Sequence, residues 1–274
     1  MCSLANINSQ SPSVGILGDS RFPEKTLKDS SKGQELQCFQ KIFSDYSTLE
    51  FTHDSDRAIA ITGLESRLRK ELGTDGRYGI FGECQSNGRP GEDFFHRSLL
   101  WKCKNKAIPL KRIVFETSRS APVPSWSWMA YKGAIGYYSK PPHGQVVWSD
   151  DVAPAWASNS RPPYLTTSDS NQRTETDVHL KARVRSFQFE AASKDEHDFR
   201  FDNGENSAKV SGNMSCVVVG VKMSRGHPAE KEHYVLLVRS VERQGKRLIY
   251  ERIGVGSMLG RHLMGENCVD GQIV

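Results

Sequence analysis

The chain changes its hydrophobic rhythm near its middle. Phe39, Ile42, Phe43 and Tyr46 recur at helical spacing from Leu36 onward. Ala58, Ile61, Leu64, Leu68 and Leu72 form a second amphipathic stripe. Asp54 and Asp56 stand before it as candidate caps, basic residues load its last turns, and Gly73 follows at the expected stop. Gly63 is a weak point inside it. Residues 74–90 read as a glycine-rich loop around "YGIFGE". In "EDFFHRSLLWKCK" the apolar stripe is wide, which predicts a third, deeply buried helix.

After Pro109 a period of two takes over. "PSWSWMAYKGAIGYY" predicts two short strands around a turn at Lys132-Gly133, and "GQVVWSD" another strand. Residues 149–176, rich in Ser, Thr, Asn and Pro, read as a long exposed connection. "DVHLKARVRSFQFE" alternates, with a break at Arg185-Ser186 that suggests a bulge. "MSCVVVGVKM" and "EHYVLLVRSV" are apolar runs short enough for buried strands, and "RLIYERIGVGSM" closes the series. "GVGSMLG" reads as a turn at a strand end.

The expected fold class is therefore α+β: about three N-terminal helices packed on a mostly antiparallel β-sheet or partial barrel in the C-terminal half. Residues 1–35 are expected as a flexible lead-in, 36–265 as one domain (helical 36–108, β-rich 109–262) and 266–274 as a tail.

Composition adds exclusions. The net charge is +5 with dispersed cations, which gives little support to nucleic-acid binding. The start of the chain lacks a basic segment followed by an apolar one, and no run of 18 apolar residues occurs. A cytoplasmic protein without a membrane span is expected, with its six cysteines as reduced thiols. No Cys/His spacing matches a zinc site, so no metal and no cofactor are expected. G-x-S-x-G, P-loop, H-E-x-x-H and dinucleotide-binding patterns are all missing.

In a strand, Trp126 and Trp128 share a face opposite Ser125 and Ser127. Burying each hides about 150–250 Å², worth several kcal/mol at about 25 cal/mol per Å². The core reading is preferred over a stacking platform, which would come with interleaved cations. Pocket candidates for a small-molecule ligand are Trp126, Trp128, Tyr131, Tyr137, Tyr138, His143 and Trp148 around one hairpin, with His96 beside Cys103 on the third helix. No catalytic residue is assigned. Arg239, Arg243, Lys246, Arg247 and Arg252 give the C-terminal hairpin a basic outline, read as the charged face of an edge strand.

Pro124-Ser125-Trp126-Ser127-Trp128-Met129-Ala130, with Gly133 after it, resembles a recurrent stretch that follows the HET domain in fungal heterokaryon-incompatibility proteins. Upstream, Tyr46-Ser47 with Phe51-Thr52, the run Asp56 to Leu64, Tyr78-Gly79-Ile80-Phe81-Gly82 and Leu99-Leu100-Trp101 follow the same family's order. "HYVLLVRSV" and "LIYERIGVGSM" resemble its closing strands. The likeness runs from about residue 38 to 260. No position matches the HET domain itself, so none of its functional residues carries over. The resemblance implies a fungal intracellular interaction protein with a protein partner, in non-self recognition. The alternatives are a free-standing relative recruited as a biosynthetic enzyme of secondary metabolism, by cyclisation or rearrangement, and RNA binding through the basic hairpin.

Overall fold

The structure is a computed structural model that describes residues 22–23, 30–84, 94–115, 123–141, 144–155, 178–187, 197–204, 214–244 and 247–274. It is α+β, with helices in the N-terminal half and a large, mostly antiparallel sheet in the C-terminal half.

Helix α1 (Lys32–Tyr46) starts inside the expected lead-in. Ser31 and Gln34 explain this: the Gln34 amide donates to Ser31 Oγ and the Ser31 amide to Gln34 Oε1, a capping box that satisfies two orphan donors. The second stripe divides into α2 (Arg57–Ala60) and α3 (Thr62–Leu72), broken at Ile61, two residues before Gly63. Asp54 and Asp56 make no side-chain cap; Asp54 instead pairs with Lys132 at 3.1 Å. Gly73 ends α3 in the left-handed conformation, as expected.

The glycine-rich loop is a hairpin, β1 (Thr74–Arg77) against β2 (Ile80–Cys84). Gly79 sits at its turn with φ +73°, and a Cβ there would lie 2.3 Å from Trp128 Nε1. Only glycine allows the turn and the indole to occupy this space. The third helix is shorter than expected. Helix α4 (Phe94–Leu99) gives way to β3 (Trp101–Cys103), because Lys102 and Gly136 lie opposite each other in a ladder with β6 (Ile135–Tyr137).

"PSWSWMAYKGAIGYY" does not form the expected hairpin. Trp128–Ala130 is a 3-10 turn capped by Ser127, whose Oγ accepts from the Met129 amide at 3.1 Å. The short strands after it take separate partners. β5 (Tyr131–Lys132) pairs with β4 (Lys111–Arg112), while β6 pairs with β3.

The large sheet has eight strands among the described residues: β7 (Val146–Trp148), β8 (Val152–Pro154), β9 (Leu180–Phe187), β10 (His197–Phe201), β11 (Met214–Lys222), β12 (Glu232–Gln244), β13 (Arg247–Leu259) and β14 (Leu263–Ile273). The path runs β7-β11-β12-β13-β14-β9-β8, and β10 pairs with β13. A single β11–β9 bridge at Cys216 and Arg185 joins β9, β11, β12, β13 and β14 into a ring. The β13–β14 pair is parallel. The ladder is irregular where the sequence suggests a bulge: the register shifts between the pairs Arg185–Cys268 and Phe187–Leu263, with the extra residues on β14 opposite Ser186. The expected tail, 266–274, lies in β14 through Ile273. "GVGSMLG" runs on within β13 through Leu259, and its glycines let β10 approach. A Cβ on Gly254 or Gly256 would stand 2.5 Å from the carbonyl oxygens of Arg200 and Asp198.

Both faces of β11 and β12 are buried, which is why they read as continuous apolar runs. Val217, Tyr234, Leu236 and Val238 join the main core with Phe39, Phe43, Leu68 and Trp128. Cys216, Val218, Val235 and Leu237 join a second cluster with Ile253 and Met258.

Candidate functional site

Trp126 and Trp128 are fully buried, as the core reading expected. Trp128 packs 5.3 Å from the Phe43 ring and edge-on to Tyr46; Trp126 meets Tyr78 edge-on at 6.0 Å. Their serines are buried too and act as staples. Ser127 Oγ donates to the Tyr78 carbonyl at 2.7 Å. Ser125 donates from its amide to the Val274 carbonyl at 2.9 Å, and its hydroxyl reaches the same oxygen. The motif thus joins the helical half to the last strand.

Beside it lies an ionic knot. Arg252 Nε donates to Asp202 Oδ2 at 3.0 Å and Nη1 to the Leu99 carbonyl at 2.6 Å; Nη2 donates to the Trp101 carbonyl. The guanidinium sits 3.4 Å from the Trp101 ring centroid. Arg252 was expected on a basic surface, yet both it and Asp202 are buried. Its fork is consumed by buried acceptors that would otherwise be orphaned. Of the other four cations in that basic outline, Arg239 pairs with Glu251 at 2.5 Å.

The pocket candidates separate into three environments. Tyr131 is buried against Trp101, ring centroids 5.5 Å apart, and burial pushes its hydroxyl up to about 12. Tyr137 is half-buried and meets Phe39 edge-on, its hydroxyl raised by burial. Tyr138 stands apart: its hydroxyl lies 3.2 Å from Asp198 Oδ2 and 3.0 Å from Ser257 Oγ, and the ammonium groups of Lys102 and Lys140 lie 5.5 and 5.9 Å from its ring centroid. Burial raises the Tyr138 hydroxyl well above the ordinary phenol value, which makes it a poor base at neutral pH.

His96 and Trp148 are brought together. Their rings stack at 5.5 Å, Arg97 lies 5.0 Å from the Trp148 ring, and His96 Nε2 is 2.8 Å from the Ser149 carbonyl. Cys103 bonds elsewhere, to the Asn105 and Ile108 carbonyls. His143 lies outside the described residues. Among the described residues no group of His, Cys, Asp and Glu is arranged to hold a metal ion, and no helix is long and apolar enough to cross a membrane.

A concavity lies elsewhere, where sequence reasoning did not look. An open groove of about 630 Å³ runs along the β7–β11 edge and the turn after β11. Its floor is Val147, Val221, Met223 and Pro228. Val147 is 55% and Met223 54% exposed, and both line this one groove. Lys222, Arg225 and Lys231 stand around them. The sequence carries a faint signal of this, "VKMSRGHP", an apolar strand that runs out into cations and a Gly-His-Pro turn. His227 caps that turn through the Ala229 amide at 3.2 Å.

No family model, curated protein or solved structure matches the chain.

Proposed function

We propose that this chain is a non-catalytic interaction protein of the kind the tryptophan motif resembles, the region after the HET domain in fungal incompatibility proteins. In this reading it acts inside the cell in non-self recognition by docking a partner chain. The observation that carries the proposal is where the aromatic side chains go. Trp126, Trp128 and Tyr131 are committed to joining the two halves of the fold, while two exposed apolar side chains, Val147 and Met223, share the open groove beside β7. Apolar surface gathered at a sheet edge and rimmed by polar groups is the form that protein docking sites take.

Site-specific photo-crosslinking tests this. Benzoylphenylalanine placed at Val147 is expected to give a discrete adduct with one partner chain in cells. The same probe at Ile59, exposed on the helical side, serves as control. Equal and diffuse labelling from both positions would overturn the proposal.

The biosynthetic-enzyme reading rests on one arrangement, the Tyr138 hydroxyl held between Ser257 and Asp198 with Lys140 3.2 Å from that carboxylate. A metabolite lost with the gene and restored by wild type but not by Tyr138→Phe would favour it.

A further inference from the structure

We infer that the β7–β11 groove takes an extended, acidic peptide segment carrying apolar side chains at alternate positions. This rests on the interaction reading and names the chemistry of the partner.

Three observations converge. The first is the edge. β7 ends the strand path, and among the described residues no strand pairs with its outer side. Its inner side is fastened to β11, with the Met223 amide donating to the Gln145 carbonyl at 2.7 Å and the Ser149 amide to the Val219 carbonyl at 3.0 Å. Edge strands left to face water are usually guarded by charge or proline on the strand itself. β7 is Val-Val-Trp and carries neither. A bare apolar edge offers main-chain donors and acceptors to an added strand.

The second is the floor. Val147 lies opposite Val221 in the ladder, and Met223 continues the same row two residues on. Side chains of an added strand point alternately up and down, so every second residue would meet this row. Methionine adapts its shape to different apolar partners.

The third is charge. Lys222, Arg225 and Lys231 line the groove, and among the described residues no carboxylate does. Lys222 shares Glu232 with Lys140, at 3.7 and 3.9 Å, and keeps nearly half its surface exposed. Burial holds the His233 imidazole below its ordinary value, so it adds no positive charge at neutral pH. Three cations facing a partner favour an acidic one and disfavour a second copy of this chain, which would bring the same cations against them.

The test is a displayed library of random twelve-residue peptides, panned on the full chain. Enriched sequences are expected to be rich in Asp and Glu with apolar residues at alternate positions. A synthetic peptide of the enriched pattern should bind about tenfold more weakly to Lys222→Glu/Arg225→Glu, and to Val147→Lys. Raising salt from about 0.1 to about 1 M should weaken it further, since screening shortens from about 10 to about 3 Å. All altered side chains are solvent-facing, and thermal melting confirms that the variants fold. Enriched peptides without acidic bias, binding indifferent to the groove variants, or no enrichment would each overturn the inference. So would self-association that Val147→Lys abolishes, which would assign the edge to a second copy. An in-cell adduct at Val147 with a basic partner would leave the interaction reading standing and remove this one.

Discussion

Arg252 and Asp202 form an ion pair that is shut off from water, and the Leu99 and Trp101 carbonyls also accept from the guanidinium. Burial raises the Asp202 carboxyl even though Arg252 and Arg112 pull it down, so desolvation is the larger effect. Removing one partner strands the other charge. Asp202→Ala is expected to cost about 3–5 kcal/mol, measured by urea unfolding. A loss below about 1 kcal/mol, the scale of an exposed pair, would show that water reaches the site.

Gly79 and Gly63 should respond oppositely to alanine. Gly79→Ala meets the Trp128 indole and a positive φ together, and is expected to cost more than about 2 kcal/mol. Gly63 has open space around it in α3, and Gly63→Ala should stabilise by about 0.5–1 kcal/mol. Equal effects of the two substitutions would contradict the packing described between the hairpin and the tryptophan motif.

Stability should fall in alkali. Burial pushes the Cys216 thiol up to about 12, and the Tyr78 and Tyr131 hydroxyls to about 12. The unfolded chain releases these protons near the ordinary values of 9.0 for the thiol and 10.0 for the phenols. The native state then holds more protons, so their contribution is full below pH 9 and is lost as pH rises toward 12. Each group contributes at most about 1.4 kcal/mol per pH unit. Urea midpoints measured from pH 8 to 11 should decline steadily; a flat profile would sink this account. The same burial should keep Cys216 unreactive toward a thiol reagent at pH 8 until urea unfolds the chain.

The C-terminal residues should be indispensable. Ile273 is fully buried, the Val274 amide donates to the Tyr250 carbonyl at 3.0 Å, and the Val274 carbonyl receives Ser125. Deleting 269–274 removes the β14 register against β9 and exposes the motif's underside. Loss of a cooperative thermal transition is expected, and Ile273→Ala alone should cost about 2–5 kcal/mol. A deletion variant that melts like the full chain would show that β14 is dispensable.

How much of this was legible depends on the range of the forces involved. The order of helices before sheet, the stop at Gly73 and the burial of Trp126 and Trp128 follow from periodicity, a left-handed glycine and apolar area, all of which act over a few neighbouring residues. What failed was decided by distant partners. Trp101 lies in a strand because β6 offers it a ladder; Arg252 is inside because Asp202, fifty residues away, meets it there. Gly254 and Gly256 read as a turn until β10 is seen crossing them. The candidate groove is tertiary throughout, since Val147 and Met223 stand seventy-six positions apart and share a surface only because β7 pairs with β11. Sequence by itself determined which apolar side chains seek the core and that helices come before the large sheet, because those choices are local. Which buried charges meet, which glycines are crossed and which edge stays open were decided only in the tertiary structure, where segments far apart in the chain compete for the same hydrogen bonds and the same space.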